Sequence, residues 1–280
     1  MIPQEFEYTA PSTLQETLSL LDGERKVLAG GMTLIPMMKL RLATPAEVVD
    51  LGRVPGLAGI SESEGLIRIG AMTTHHAVET SPVVRAHAPL LAATASHIGD
   101  AQVRNTGTIG GSIAHADPAA DYPAALLALE TRIQVVSAHS DRTVAASDFF
   151  LDAFTTALEP GELVLEIQVP AQDVTEGSRY EKVPHPASGF AVVGIAARIQ
   201  KASGRVTMAR IGVTGLAGRA FRARNVEAIL EAGGGVAEAA AVLGHGEDPN
   251  SDLYAAADYR LHLARVHGAR ALQAALSRAA

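Results

Sequence analysis

At 280 residues, 48% hydrophobic and 19% charged, the chain can build more than one core and is too apolar to be disordered. Its net charge of -7, with no Lys/Arg cluster, argues against nucleic acid or an anionic membrane surface as a partner. Cysteine is absent, which excludes disulfides, a thiolate nucleophile, a thiolate zinc site and any iron–sulfur cluster held by this chain.

In chain order, Phe6–Thr9 reads as a short strand. A helix follows in "PSTLQETLSLLDG", with Ser12 as N-cap, Gln15 completing a capping box and Gly23 past its end. Val27–Ala29 is a second strand that runs into Gly30-Gly31, and a helix starts near Thr33 in "LIPMMKLRL". With a third strand at Val48–Leu51, this predicts a small parallel βαβαβ unit. Beyond Gly56, "GLIRIGAMT" is a strand and "APLLAATASHIG" an amphipathic helix, with strands at Ile133–Val136 and Arg142–Ala145. "VTEGSRYEKVPHPASG" is rich in breakers. A strand pair at Phe190–Ile199 and Val206–Val213 follows, then helices at Asn225–Glu231 and Tyr254–Leu276. The expected organisation is three lobes, 1–55, 56–170 and 171–280, in an α+β chain. A small parallel unit, a larger mixed or antiparallel α+β region and a C-terminal antiparallel sheet with helices succeed one another.

No apolar run reaches the roughly 18 residues of a transmembrane helix. "MIPQEFEYTAPS" has no basic region followed by an apolar stretch, so the expected location is the cytoplasm.

Two stretches invite chemistry. In "VLAGGMTLIPMMKL" a strand enters a double glycine and leaves as a helix, which gathers free N–H groups and a positive dipole end at one spot. "TGTIGGSIA" repeats the combination of hydroxyl residues and paired glycines. Either alone reads as a turn. Together they read as an anion site, because a diphosphate needs donors from two sides. GxGxxG and GxxxxGK[ST] are both absent, and "GVTGLAG" is a weak signal.

Other constellations stay open. His115, Asp117 and Asp121 could ligate a metal, although Pro118 and Pro123 interrupt any helical face that would align them. Ser112, His115 and Asp121 could form a hydrolase triad, although Ser112 lies outside a GxSxG elbow. His75 and His76 are adjacent and point apart, so polar surface or core satisfaction is the expectation. A non-catalytic nucleotide-binding module is a further alternative.

"AGGMTLIPMMKLRLATP", "IGAMTTHHAVETSPVV", "IGDAQVRNTGTIGGSIAHADPAADYPAALLAL" and "YEKVPHPASGFAVVGIAA" together resemble the FAD-binding medium subunit of molybdenum hydroxylases, the carbon monoxide dehydrogenase and xanthine dehydrogenase family. The resemblance runs in order from about Gly30 to Ala197. It implies a two-subdomain FAD-binding region followed by a C-terminal α+β domain, and FAD held without a covalent bond. Ala29, Gly30, Gly31, Met32 and Thr33 would lie on one side of the diphosphate, and Thr108, Ile109, Gly110, Gly111 and Ser112 on the other. Asp121 would sit near the ribose and adenine end, and Lys182 close to the flavin end. "PHPASGF" stands where xanthine dehydrogenase-like members carry an R-x-x-D stretch, and Phe190 is a candidate to pack on the isoalloxazine. The resemblance further implies a large subunit with the molybdenum cofactor, a small subunit with [2Fe–2S] clusters and a dimer of heterotrimers. In that assembly this chain would pass electrons to an external acceptor.

Overall fold

The computed structural model describes residues 2–21 and 23–280. It is a mixed α+β chain. The N-terminal elements are β1 (Glu7–Thr9), α1 (Leu14–Leu20), β2 (Lys26–Leu28), α2 (Leu34–Lys39) and β3 (Glu47–Asp50). Their three strands form a parallel sheet in the order β1-β3-β2, because each crossover helix returns the chain to the same end. The cap of α1 is shifted by one residue from the predicted box. Thr13 is the N-cap, its hydroxyl accepting from Glu16 N–H at 3.1 Å, while the Glu16 carboxylate accepts from Ser12 N–H at 2.9 Å. Glutamate, not Gln15, closes the box, and it reaches back to the residue before the cap.

The next elements are β4 (Ile60–Ser63), β5 (Leu66–Gly70), α3 (His75–Thr80), α4 (Pro82–His87), α5 (Pro89–Ser96), α6 (Ala101–Thr106), α7 (Ile109–His115) and α8 (Tyr122–Ala128). They continue with β6 (Arg132–Val136), β7 (Asp141–Ala145), α9 (Ala146–Phe149), β8 (Phe150–Asp152), β9 (Thr155–Thr156) and β10 (Leu163–Pro170). Five of these strands pair antiparallel in the order β4-β5-β10-β6-β7, and the helices pack on the sheet around Ile67, Ile69, Ile133 and Ile167. The helix predicted as amphipathic, α5, buries Leu90, Leu91, Ala92, Thr94 and Ala95 and leaves Pro89, Ala93 and Ser96 exposed along one face.

The C-terminal part comprises β11 (Gly177–Pro184), β12 (Ala191–Ala202), β13 (Arg205–Thr214), β14 (Phe221–Arg222), α10 (Arg224–Glu231), α11 (Val236–Ala241) and α12 (Ala257–Arg278). Its antiparallel sheet, ordered β11-β12-β13-β14, lies between α8 on one face and α12 on the other. Both helices approach closely. A Cβ on Gly212 would collide with the Ala124 carbonyl of α8, and one on Gly177 with the Ala275 carbonyl of α12. Cover on both faces explains why β12 is a continuous apolar run. Sequence reading missed β11 because its face toward α8 carries Tyr180 and Lys182 rather than an apolar stripe.

Candidate cofactor site

The Ala29–Thr33 loop leaves β2 and turns into α2. Gly31 has φ +71°, a conformation that side chains resist, and a Cβ there would come 2.6 Å from the Ile35 Cδ1 atom. Thr33 is the N-cap but its side chain makes no capping bond. Among the described residues, the N–H groups of Met32, Thr33 and Leu34 have no hydrogen-bond partner. Three adjacent donors left free at a helix start form an anion-seeking edge.

The Thr106–Ser112 segment meets this loop directly. A Cβ on Gly30 would fall within contact of the Thr106 carbonyl oxygen and lie 2.8 Å from Gly107 Cα, while one on Gly111 would lie 3.4 Å from Ala29 Cβ. The second loop therefore faces the first, but its donors are already engaged. Ile109 N–H donates to the Thr73 carbonyl at 3.0 Å, Gly110 N–H to Ala71 at 2.8 Å and Gly111 N–H to the Thr108 hydroxyl at 3.2 Å. The first loop carries the open N–H groups, and the second brings close backbone approach. Gly110 is a glycine because Ala71 lies against it, with Cβ-to-Cβ separation of 2.5 Å for any side chain placed there. Replacing the cap, Thr108→Val, should lower the stability of the FAD-free protein by about 1 kcal/mol. A thermal melt beside wild type checks this.

Asp121 and Lys182 are brought together. The Lys182 ammonium donates to Asp121 Oδ2 at 2.8 Å and to the His97 carbonyl at 2.8 Å, and the Tyr180 hydroxyl donates to Asp121 Oδ1 at 2.5 Å. The side chains of the ion pair are 2% and 4% exposed. Burial pushes the Asp121 carboxyl above the ordinary aspartate range, and the Lys182 charge pulls it part of the way back. Burial, then Asp121, raises the Tyr180 phenol well above its ordinary value, so it remains a donor. A direct bond joins Asp121 and Lys182, 61 positions apart in the chain. The strand β11 carries Lys182 across α5 to the start of α8, a contact that depends on chain packing. Phe190 closes the turn after β11, its carbonyl accepting from His185 N–H at 2.7 Å, and its ring is partly exposed.

The remaining candidates separate. His115 packs against Phe154 in a tilted arrangement with ring centroids 5.1 Å apart, and Asp117 accepts from Ala119 N–H at 2.8 Å in its own turn. Asp121, held by Tyr180 and Lys182, completes neither a metal set nor a triad with Ser112 and His115. His76 lies on the surface beside Glu79, whereas His75 is buried, with Nδ1 3.3 Å from the Tyr122 hydroxyl. Gly107, His75, Tyr122 and Tyr180 are the site neighbours that sequence reading did not single out as such. The i, i+2 spacing of Tyr180 and Lys182 on one strand face was their available signal.

Two glycine loops in contact, with free amides on one side and a buried charged pair on the neighbouring elements, suit a nucleotide cofactor. Residues 4–172 match the family described as FAD binding domain in molybdopterin dehydrogenase, and residues 178–275 match the CO dehydrogenase flavoprotein C-terminal domain. The chain is 40% identical to the carbon monoxide dehydrogenase medium chain of Hydrogenophaga pseudoflava, over 100% of both chains. It is 35% identical to the 6-hydroxypseudooxynicotine dehydrogenase complex subunit alpha of Paenarthrobacter nicotinovorans, over 100% of this chain and 97% of that one. The solved carbon monoxide dehydrogenase of Hydrogenophaga pseudoflava superposes with a TM-score of 0.97 at 42% identity, over 100% of both chains. The chain belongs to the FAD-binding medium subunits of the molybdenum hydroxylases and is an FAD-dependent oxidoreductase subunit.

Proposed function

We propose that this subunit takes electrons from [2Fe–2S] clusters in a small partner subunit and passes them to an external acceptor, while a large partner subunit oxidises substrate at a molybdenum cofactor. The absence of cysteine carries this reading: a chain that binds FAD but can hold no thiolate-ligated cluster needs an electron donor in another chain. Medium-chain and complex-subunit relatives support a multi-subunit assembly. A dimer of heterotrimers in the cytoplasm is the arrangement proposed. No helix among the described residues is long and apolar enough to cross a membrane. Relatives of full-length similarity act on unlike substrates by name, so the substrate belongs to the large subunit in this reading.

FAD supplies the redox chemistry when bound, and this chain supplies its seat. The free N–H groups of Met32, Thr33 and Leu34 would hold the diphosphate, together with the Ser112 hydroxyl. Gly30 and Gly111 let the two loops close on it. Asp121, fixed by Tyr180 and Lys182, keeps acceptor capacity for a cofactor hydroxyl, and the same pair sets the local charge.

Non-covalent attachment is part of the proposal. Acid precipitation of the holoprotein should leave the yellow cofactor in the supernatant, and flavin that stays with the pellet contradicts it. The electron route is tested in the complex purified from its native host without dissociating conditions. Substrate should bleach the flavin only when the iron- and molybdenum-containing chains are present. Full substrate-dependent dye reduction by the free subunit, with neither metal, overturns the proposal.

A further inference from the structure

Gly107 is enclosed from two sides. A Cβ on Gly30 of the first loop would lie 2.8 Å from Gly107 Cα, and a Cβ on Gly107 itself would lie 2.7 Å from His75 Nε2 and 2.9 Å from Cδ2. The imidazole is thus the floor beneath the point where the two loops touch. The backbone joins the same parts: His75 N–H donates to the Gly107 carbonyl at 3.0 Å and Ile109 N–H to Thr73 at 3.0 Å, flanking a bridge between Thr74 and Thr108. On its other edge the ring contacts the Tyr122 hydroxyl at 3.3 Å, and Tyr122 follows Asp121 in sequence. One buried side chain therefore links the loop contact to the start of the helix that carries Asp121.

We propose that His75 is a positioning residue for the cofactor, holding Gly107 against Gly30 as a neutral imidazole, and that acid releases FAD by dislodging this ring. The inference rests on the reading of the two loops as the FAD cradle. A protonated ring would need a nearby carboxylate, and no carboxylate bonds to His75 among the described residues. The charged neighbour that acts on it is Arg104 of α6, paired with Glu79 of α3 at 3.0 Å. From α8 come the buried Tyr122 phenol and, behind it, Asp121, which is held by Lys182. Arg85 of α4 donates to the Glu79 carbonyl at 2.8 Å, and His97 after α5 is bonded to the Ala93 carbonyl at 2.8 Å. Burial first, and Arg104 second, lower the His75 pKa from 6.5 to about 4. A lowered histidine favours the closed state above 6.5, and that preference is lost as pH falls through about 4. A gap of this size sets an upper bound, on the order of a hundredfold, on the linked change in cofactor affinity, reached only where the ring is dislodged in FAD-free protein.

The test measures FAD retention by fluorescence of released flavin from pH 7.5 to 4, with far-UV circular dichroism recorded at each pH to confirm that the chain stays folded. His75→Asn keeps a polar group toward Tyr122 and cannot protonate. It should bind FAD about tenfold more weakly at pH 7.5, and at least tenfold of the acid-induced loss should be missing. Tyr122→Phe should weaken retention while preserving the slope. Wild-type affinity and slope in His75→Asn, alongside loss of FAD from Gly30→Val, overturn the His75 proposal while leaving the cradle standing. Should Gly30→Val also retain FAD, the cradle reading itself fails. An NMR titration of the His75 ring is independent of any variant. Its midpoint should lie lower in FAD-loaded protein than in FAD-free protein, and equal midpoints overturn the idea.

Discussion

Gly30→Val should be purified folded and nearly colourless. The first atom added at this position enters the space of the Thr106 carbonyl oxygen and comes within 2.8 Å of Gly107 Cα, so both contacts are with backbone and no side-chain rotation relieves them. The loops must separate by about an ångström to regain van der Waals contact. That displacement moves the free N–H groups of Met32, Thr33 and Leu34 away from Ser112. FAD affinity should fall by at least about tenfold, equivalent to roughly 1.4 kcal/mol. Stability should change less, because the Ala29–Thr33 loop contributes no residue to the large cores. The ratio of flavin to protein absorbance, with a thermal melt of FAD-free samples, separates the two effects. Gly235→Ala, where the added methyl meets nothing within 4 Å, is the matched control and should keep full flavin. Equal flavin content in Gly30→Val and the control would show that loop closure does not matter for retention.

Lys182→Met should be the most destabilising single change in the site. It removes the ammonium from Asp121 and leaves a carboxyl that is almost fully enclosed, with only the Tyr180 hydroxyl as donor. Breaking one side of a buried pair costs about 3–5 kcal/mol, since the stranded charge loses its partner without regaining water. At roughly 2–4 °C per kcal/mol for a chain of this size, the melting temperature should drop by about 10 °C. Burial already raises the Asp121 pKa, and removal of the cation takes away the influence that opposes burial. The carboxyl should then take up a proton more readily, so the loss relative to wild type should be larger at pH 8 than at pH 5. Adding Asp121→Asn should recover much of the stability, because the double variant buries no charge at this spot. A double variant no better than Lys182→Met alone would show that the lysine acts through its bond to the His97 carbonyl rather than through Asp121.

The parallel β1-β3-β2 unit was legible in the sequence because short strand segments alternate with helical ones, with glycines at the α1–β2 and β2–α2 junctions. The C-terminal β12–β13 hairpin was legible for a related reason: ten or more residues of apolar, β-branched character surround the tight Ser203-Gly204 turn. The family itself was legible in the order of the four quoted stretches, and with it FAD. Local pattern carries this much because capping, turn geometry and strand propensity act between near neighbours.

Tertiary structure alone decided which groups in those stretches are free to act. The amides of Ile109 and Gly110 look as available in the sequence as those of Met32 and Thr33, yet carbonyls of Thr73 and Ala71, over thirty positions away, take them up. Asp121 and Lys182 stand 61 positions apart and form one buried pair, because β11 pairs with β12 on a sheet whose face rests on α8. His75 reads as an unremarkable polar residue until the Thr74–Thr108 bridge sets it beneath Gly107. Hydrogen-bond satisfaction and burial are properties of the packed chain, since each depends on which distant backbone arrives within about 3 Å. The sequence determined which cofactor this protein holds, and packing decided which atoms are left to hold it.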